Sequence, residues 1–229
     1  MDGAAEGVAG EQQAEPGPRQ EGRRDDAQVR GHGGRIARRR RAPVGYPRRM
    51  RTWTRVGAET LFRHRLFELR RESLSAGGEE RRESMVLDAP AWVNIVALDA
   101  GRRVLLVRQW RFGIAAPTVE IPGGMVDPGE SAREAAEREL LEETGYRARR
   151  WSELGAVEPN PAFLTNRCTT FLAEELERMG EPTGDGEEEI EVEWGDLDAI
   201  GARVLSGEIR HALVVAAFYL FAQRAATAR

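Results

Sequence analysis

The sequence predicts an α/β domain in which a mixed sheet is flanked by helices. Three observations point there. Runs of alternating apolar and charged residues begin at Trp53. One helix between Ser131 and Gly145 carries both a start and a stop signal, and two amphipathic stretches close the chain. With 229 residues, the chain has room for one domain of ordinary size plus an extension.

The elements follow in order. Thr60 to Glu72 alternates in stretches, Gly77-Gly78 supplies a turn, and Arg82 to Leu87 resumes the pattern, which predicts a hairpin. Ala91 to Leu98 and Val104 to Val107 are β-rich runs joined by Asp99-Ala100-Gly101, a second hairpin. Pro117 to Ile121 reads as a short strand stopped by Pro122-Gly123-Gly124. Ser131 opens a helix, Glu134 completes a capping-box pattern, and Gly145 supplies a left-handed terminator. Trp151 to Val157, Cys168 to Ala173 and Ile190 to Trp194 read as further strands. Asp196 to Leu205 and Ile209 to Arg224 read as the closing helices.

Composition excludes several kinds of chemistry. Apolar residues make up 41% and charged residues 31%, as in a soluble globular protein. The only cysteine, Cys168, can form neither an internal disulfide nor a Cys-rich zinc site, which fits a reducing compartment. Three scattered histidines (His32, His64, His211) argue against zinc catalysis, and there is no lysine, so Schiff-base and phosphate-loop lysine chemistry is excluded. Any metal must be held by carboxylates. No window approaches the roughly 20 apolar residues of a membrane span, and the N-terminus lacks a signal-peptide core. A cytoplasmic protein without membrane partners is expected.

Residues 1–52 differ from the rest, with 12 Arg against 7 acidic residues and almost no apolar periodicity. A disordered Arg/Gly-rich tail is expected there, followed by one catalytic domain over 53–229. The Arg38–Arg41 run could contact nucleic acid or an acidic partner, but a solvated tail is the preferred reading.

Residues 124–146 read GMVDPGESAREAAERELLEETGY. Glu139, Glu142 and Glu143 stand at i, i+3 and i+4 and project from one helix face, where like charges repel. A hard divalent cation removes that repulsion and prefers carboxylate oxygens, which points to Mg²⁺ or Mn²⁺. Arg138 can pair with one carboxylate, and Gly123-Gly124 lets backbone approach a metal or phosphate closely. A Glu-rich helix is by itself usually a solvated face. The spacing as a whole argues otherwise: Gly124, Glu130, Arg138-Glu139-Leu140, Glu142-Glu143 and Gly145-Tyr146.

This pattern resembles the Nudix hydrolase signature, G-x5-E-x7-R-E-U-x-E-E-x-G-U with U apolar or aromatic, and every fixed position is present. The resemblance implies a Nudix α/β/α sandwich with a mixed sheet, here with an N-terminal antiparallel strand extension. It also implies metal-dependent cleavage of a diphosphate linked to another moiety. By the same resemblance Glu139, Glu142 and Glu143 are the metal ligands, joined by a backbone carbonyl of Gly123 or Gly124. Glu130 and Arg138 are their supports.

The flanks are similar to the branch that hydrolyses ADP-ribose and other nucleoside diphosphate sugars. There the residues matching Arg111 and Glu120 help bind substrate, and Arg suits the task because its planar fork grips phosphate; on sequence alone Arg111 reads equally as an edge-strand charge. Pro161 stands fifteen residues past Tyr146, as in ADP-ribose pyrophosphatases. Glu188, in the acidic loop Gly184 to Glu189, is the candidate general base or extra metal ligand, with Glu187 next and a solvated loop as the alternative. The branch also implies a homodimer that exchanges N-terminal strands. Two rival functions stand beside this one: hydrolysis of a nucleoside triphosphate such as 8-oxo-dGTP, and a non-catalytic nucleotide-binding module.

Overall fold

The computed structural model describes residues 51–78, 80–183 and 189–227. They form β1 (Thr54–His64), β2 (Phe67–Ala76), β3 (Glu80–Asp88), β4 (Trp92–Ala97), β5 (Arg103–Arg111), β6 (Ala116–Glu120) and β7 (Gly123–Met125). After these come α1 (Ala132–Thr144), β8 (Tyr146–Val157), β9 (Cys168–Arg178), β10 (Ile190–Asp196), α2 (Ile200–Leu205) and α3 (Ala212–Thr227). The strands make three sheets, β1-β2-β3, β10-β5-β6 and β7-β4-β9-β8. The last is mixed, because β4 and β9 run parallel while β7 and β8 pair antiparallel with their neighbours.

The layering follows from alternation along β4. Val93, Ile95 and Ala97 face a core with Leu105, Phe171 and the α1 residues Ala135, Ala136 and Leu140. Val96 and Leu98 face a second core with Leu106, Val119, Ile121 and the helical residues Ile200, Val214, Ala217 and Phe218. Helices therefore cover both sides of the sheet layer, an α/β/α sandwich. Leu140 is wholly buried, and truncating such a side chain to Ala costs about 2–5 kcal/mol.

Four local expectations are revised. The alternation from Thr60 to Glu72 is broken by a tight turn at Arg65 and Leu66, so the extension has three antiparallel strands. Neither residue is a turn former, so nothing punctuates the sequence there. The Asp99–Arg103 turn exists, with Asp99 and Arg103 bonded N–H to C=O, but β4 and β5 share only the bridge Leu98–Val104 before parting into different sheets. Gly123-Gly124 does not merely stop a strand; it is part of β7 and pairs with Asn94 and Val93. The closing helix begins at Ala212, with the His211 carbonyl accepting from the Val215 N–H, while Ile209 is a buried plug ahead of it.

Candidate active site

The carboxylate-bearing helix α1 is set in place at both ends. The Ser131 hydroxyl accepts from the Glu134 N–H at 3.2 Å, and the Glu134 carboxylate accepts from the Ser131 N–H at 2.8 Å. At the other end Gly145 has φ 74° and donates its N–H to Leu141 O. A Cβ there would lie 2.3 Å from the Gly180 carbonyl, so both backbone angle and space require glycine.

Arg138 gathers the acidic side chains. Its Nε and Nη2 each donate to Glu130 at 3.1 Å, and Nη1 donates to Glu139 at 2.9 Å and to Glu142 at 3.1 Å. Nη2 also reaches the Met125 carbonyl at 2.9 Å, which ties the helix to β7. These partners raise the Arg138 pKa, Glu130 first among them, so the guanidinium stays charged. In return, the Arg138 hydrogen bond holds the Glu130 carboxyl below its ordinary range. Glu130 further accepts from the Asp127 N–H at 3.1 Å, fixing the loop ahead of α1.

The glycine corner lies against the same helix. Glu143 is buried at 6% exposure and accepts from the Gly123 N–H at 3.0 Å. A Cβ on Gly124 would stand 2.2 Å from a Glu139 oxygen, and one on Gly123 would meet the Val93 carbonyl at 2.2 Å. Glycine is needed here for close approach, not for an unusual dihedral. Asn94, across from Gly123, is buried with its Nδ2 lacking a hydrogen-bond partner among the described residues, a feature the sequence did not signal.

Among the described residues, no group of three or more His, Cys, Asp and Glu side chains converges in a metal-holding arrangement. Glu139 and Glu142 turn to Arg138, and Glu143 turns to Gly123. The donor set nevertheless fits a hard divalent cation: three carboxylates within one turn of helix, beside a glycine pair with no side chain to obstruct approach.

Arg111 and Glu120, which the resemblance assigns to substrate binding, meet across neighbouring strands. The Arg111 fork donates from Nε at 2.8 Å and Nη2 at 2.7 Å to the two oxygens of Glu120, a bidentate pair between β5 and β6. Thr118 donates its hydroxyl to the same carboxylate at 2.5 Å. Burial pushes the Glu120 pKa up, but the Arg111 and Thr118 hydrogen bonds outweigh it and the net shift is downward. His211 stands nearby, just ahead of α3; burial holds it below its usual value against the opposing pull of Glu120, and its Nδ1 has no hydrogen-bond partner among the described residues. Thr118 and His211 escaped sequence reasoning, although Thr118 stands two residues before Glu120 on one strand face.

The remaining sequence-chosen residues are placed as follows. Pro161 lies exposed in the turn 161–163; Phe163 O of that turn accepts from the Leu87 N–H near the end of β3, and the Thr165 N–H beyond it donates to Leu87 O. Thr165 also donates to Asp88 at 2.5 Å, so this loop is attached to the β3–β4 junction. Glu187 and Glu188 lie outside the described residues. The segment leading toward them is tied to α1 through the Thr183 N–H and the Glu142 carbonyl at 3.0 Å.

Comparison with known proteins identifies the family. Residues 89–218 match the family model described as NUDIX domain. The chain is 32% identical to the ADP-ribose pyrophosphatase of Mycobacterium tuberculosis H37Rv over 165 residues, which cover 70% of this chain and 79% of that protein. It is 29% identical to the ADP-ribose pyrophosphatase of Bacillus subtilis over 135 residues, 59% of this chain and 73% of that one. A crystal structure of an ADP compounds hydrolase superposes with a TM-score of 0.68 at 25% identity, covering 77% of this chain and 96% of the other.

Proposed function

The chain belongs to the Nudix family, and from that premise we propose that it hydrolyses the pyrophosphate linkage of ADP-ribose or a related nucleoside diphosphate sugar. The products are then a nucleoside monophosphate and a sugar phosphate. The observation that carries this reading is the joint presence of two built features. One is the Arg138-centred carboxylate helix beside Gly123 and Gly124, and the other is the bidentate Arg111–Glu120 pair. The similarity to ADP-ribose pyrophosphatases along most of their length supports the substrate class.

Glu139, Glu142 and Glu143, with a backbone carbonyl of Gly123 or Gly124, would hold Mg²⁺ or Mn²⁺. When bound, the cation offsets the charge of the diphosphate oxygens and activates water for attack. The chain's own residues do the rest. Arg138 keeps Glu139 and Glu142 on one side of the helix, so their repulsion does not splay them. Glu143 is held over the corner by the Gly123 N–H. Arg111 grips a phosphate oxygen of the substrate, its own fork fixed by Glu120. Hydrolysis adds water across the bridging bond: one phosphorus gains a hydroxyl oxygen, the bridging oxygen leaves with the other phosphate, and a carboxylate accepts the water's proton. Glu188 remains the candidate for that base, and Pro161 a candidate for substrate binding.

We further propose that residues 53–229 are one catalytic domain acting in the cytoplasm; the tail expected over residues 1–52 lies outside the described residues as far as residue 50. Val56, Leu61, Phe62 and Met85, 54%, 40%, 53% and 47% exposed on the β1-β2-β3 sheet, fit coverage by a second copy in a homodimer. Among the described residues no helix is long and apolar enough to cross a membrane.

The test is product analysis with Mg²⁺ and a panel of ADP-ribose, GDP-mannose, UDP-glucose, ADP-glucose and 8-oxo-dGTP. Two monophosphate products from ADP-ribose or a nucleotide sugar are expected. Inorganic pyrophosphate released only from the triphosphate would move the chain to triphosphate hydrolysis, and no turnover would favour a binding module.

A further inference from the structure

Thr118 sits where the strand pattern gives no reason for a hydroxyl. In β6 the side chain of Val119 enters the core with Ile121, so Thr118 and Glu120 share the opposite face. Both are 3% exposed. The partner of Thr118 across the ladder, Gln109, is buried as well. Valine would fill the same volume with a comparable strand preference and no polar atom to desolvate. The hydroxyl is committed to one bond, donated to Glu120 Oε1 at 2.5 Å. That oxygen also accepts from Arg111 Nε at 2.8 Å, while Oε2 accepts from Arg111 Nη2 at 2.7 Å.

Two parallel N–H···O bonds require the guanidinium and the carboxylate to lie nearly in one plane. Whatever fixes the rotation of the Glu120 carboxylate therefore fixes the plane of Arg111, and the third hydrogen bond does this from the strand on which Glu120 itself stands. Glu120, buried and with both oxygens engaged, anchors Arg111. Arg111, by contrast, has a side chain 37% exposed. We propose that Thr118 is a positioning residue for substrate binding: acting through Glu120, it sets the plane in which Arg111 meets the diphosphate, an inference that rests on the function proposed above.

The experiment compares the full-length wild type with Thr118→Val, Thr118→Ser, Arg111→Ala and the Thr118→Val/Arg111→Ala double variant. KM, kcat and Tm are measured, together with ADP-ribose binding by calorimetry. Thr118→Val is expected to raise KM and weaken ADP-ribose binding about threefold to tenfold, the net worth of one hydrogen bond, with kcat within about twofold of wild type. Thr118→Ser restores both values, and on the Arg111→Ala background Thr118→Val adds nothing, because the two act through one chain of contacts. Equal binding by wild type and Thr118→Val, while Arg111→Ala is weakened, overturns the positioning role alone. So does a Thr118→Val loss that adds fully to that of Arg111→Ala, or a fall in Tm without a change in KM. A wild type that binds ADP-ribose without cleaving it refutes the hydrolytic function and leaves the binding comparison to judge Thr118. A wild type that binds no nucleoside diphosphate sugar overturns both.

Discussion

Replacing Arg138 by Met removes the cation from the centre of the acidic helix and keeps a straight, helix-compatible stem. The guanidinium makes two hydrogen bonds to Glu130 at 3.1 Å, one to Glu139 at 2.9 Å, one to Glu142 at 3.1 Å and one to the Met125 carbonyl at 2.9 Å. Hydrogen bonds to charged groups contribute about 1.5–3 kcal/mol each, but they do not add when they share one side chain. The Arg138 side chain is also 28% exposed, so solvent recovers part of the loss. The net cost is then about 2–3 kcal/mol, which for a domain of this size lowers Tm by about 4–12 °C. Arg138→Lys is the informative second variant. Lysine keeps the charge but, as a single ammonium, cannot bridge Glu130, Glu139, Glu142 and a carbonyl with a planar fork, and it should regain less than half of the loss. Thermal unfolding followed by circular dichroism in EDTA reads both. An Arg138→Met variant as stable as the wild type, or a lysine variant fully restored, would refute the claim that fork geometry organises these carboxylates.

Three further outcomes follow from the same structure. Gly145→Ala must adopt a left-handed backbone and place Cβ against the Gly180 carbonyl, so a stability loss of more than about 1–2 kcal/mol is expected; urea denaturation with an unchanged midpoint would contradict it. The Glu120 pKa is lowered in the fold, so its stabilising contribution is complete above the ordinary glutamate range and is lost as pH falls through the lowered folded value. Glu120→Gln should therefore flatten the acid limb of stability against pH, and an unaltered acid limb would show that the ion pair contributes little. The thiol of Cys168 is buried and its pKa pushed up to about 12, so alkylation by iodoacetamide at neutral pH should be slow in the native protein and fast after unfolding. Rapid native labelling would contradict that burial.

What the sequence revealed and what it hid have different physical origins. The α1 boundaries were legible because Ser131, Glu134 and Gly145 act through local backbone geometry, which a linear pattern records. The pairing of Arg138 with Glu142 was legible because helical spacing sets them four residues apart on one face, whereas Glu130 lies ahead of the helix and reaches Arg138 only through the fold. The Arg65–Leu66 turn was hidden because it closes without glycine, proline or asparagine, held by the pairing of β1 with β2. The separation of β4 from β5 was hidden as well, since apolar residues on both faces of each strand do not say which neighbour it will pair with. The three hydrogen bonds that Glu120 accepts from Arg111 and Thr118 were hidden too, since they form across a buried ladder that a linear pattern does not record.

The central claim is that the carboxylates of α1 drive hydrolysis of a nucleoside diphosphate sugar, and Glu143 is the residue on which to test it. It is the buried member of the three and is held by the Gly123 N–H. Glutamine retains an oxygen to accept that bond while losing the charge. The measurement is turnover of ADP-ribose by wild type and Glu143→Gln with Mg²⁺, read as AMP and ribose 5-phosphate, with Tm checked for both. Equal folding and a loss of several orders of magnitude in kcat are expected for the variant. A Glu143→Gln protein that turns over ADP-ribose at the wild-type rate would contradict it.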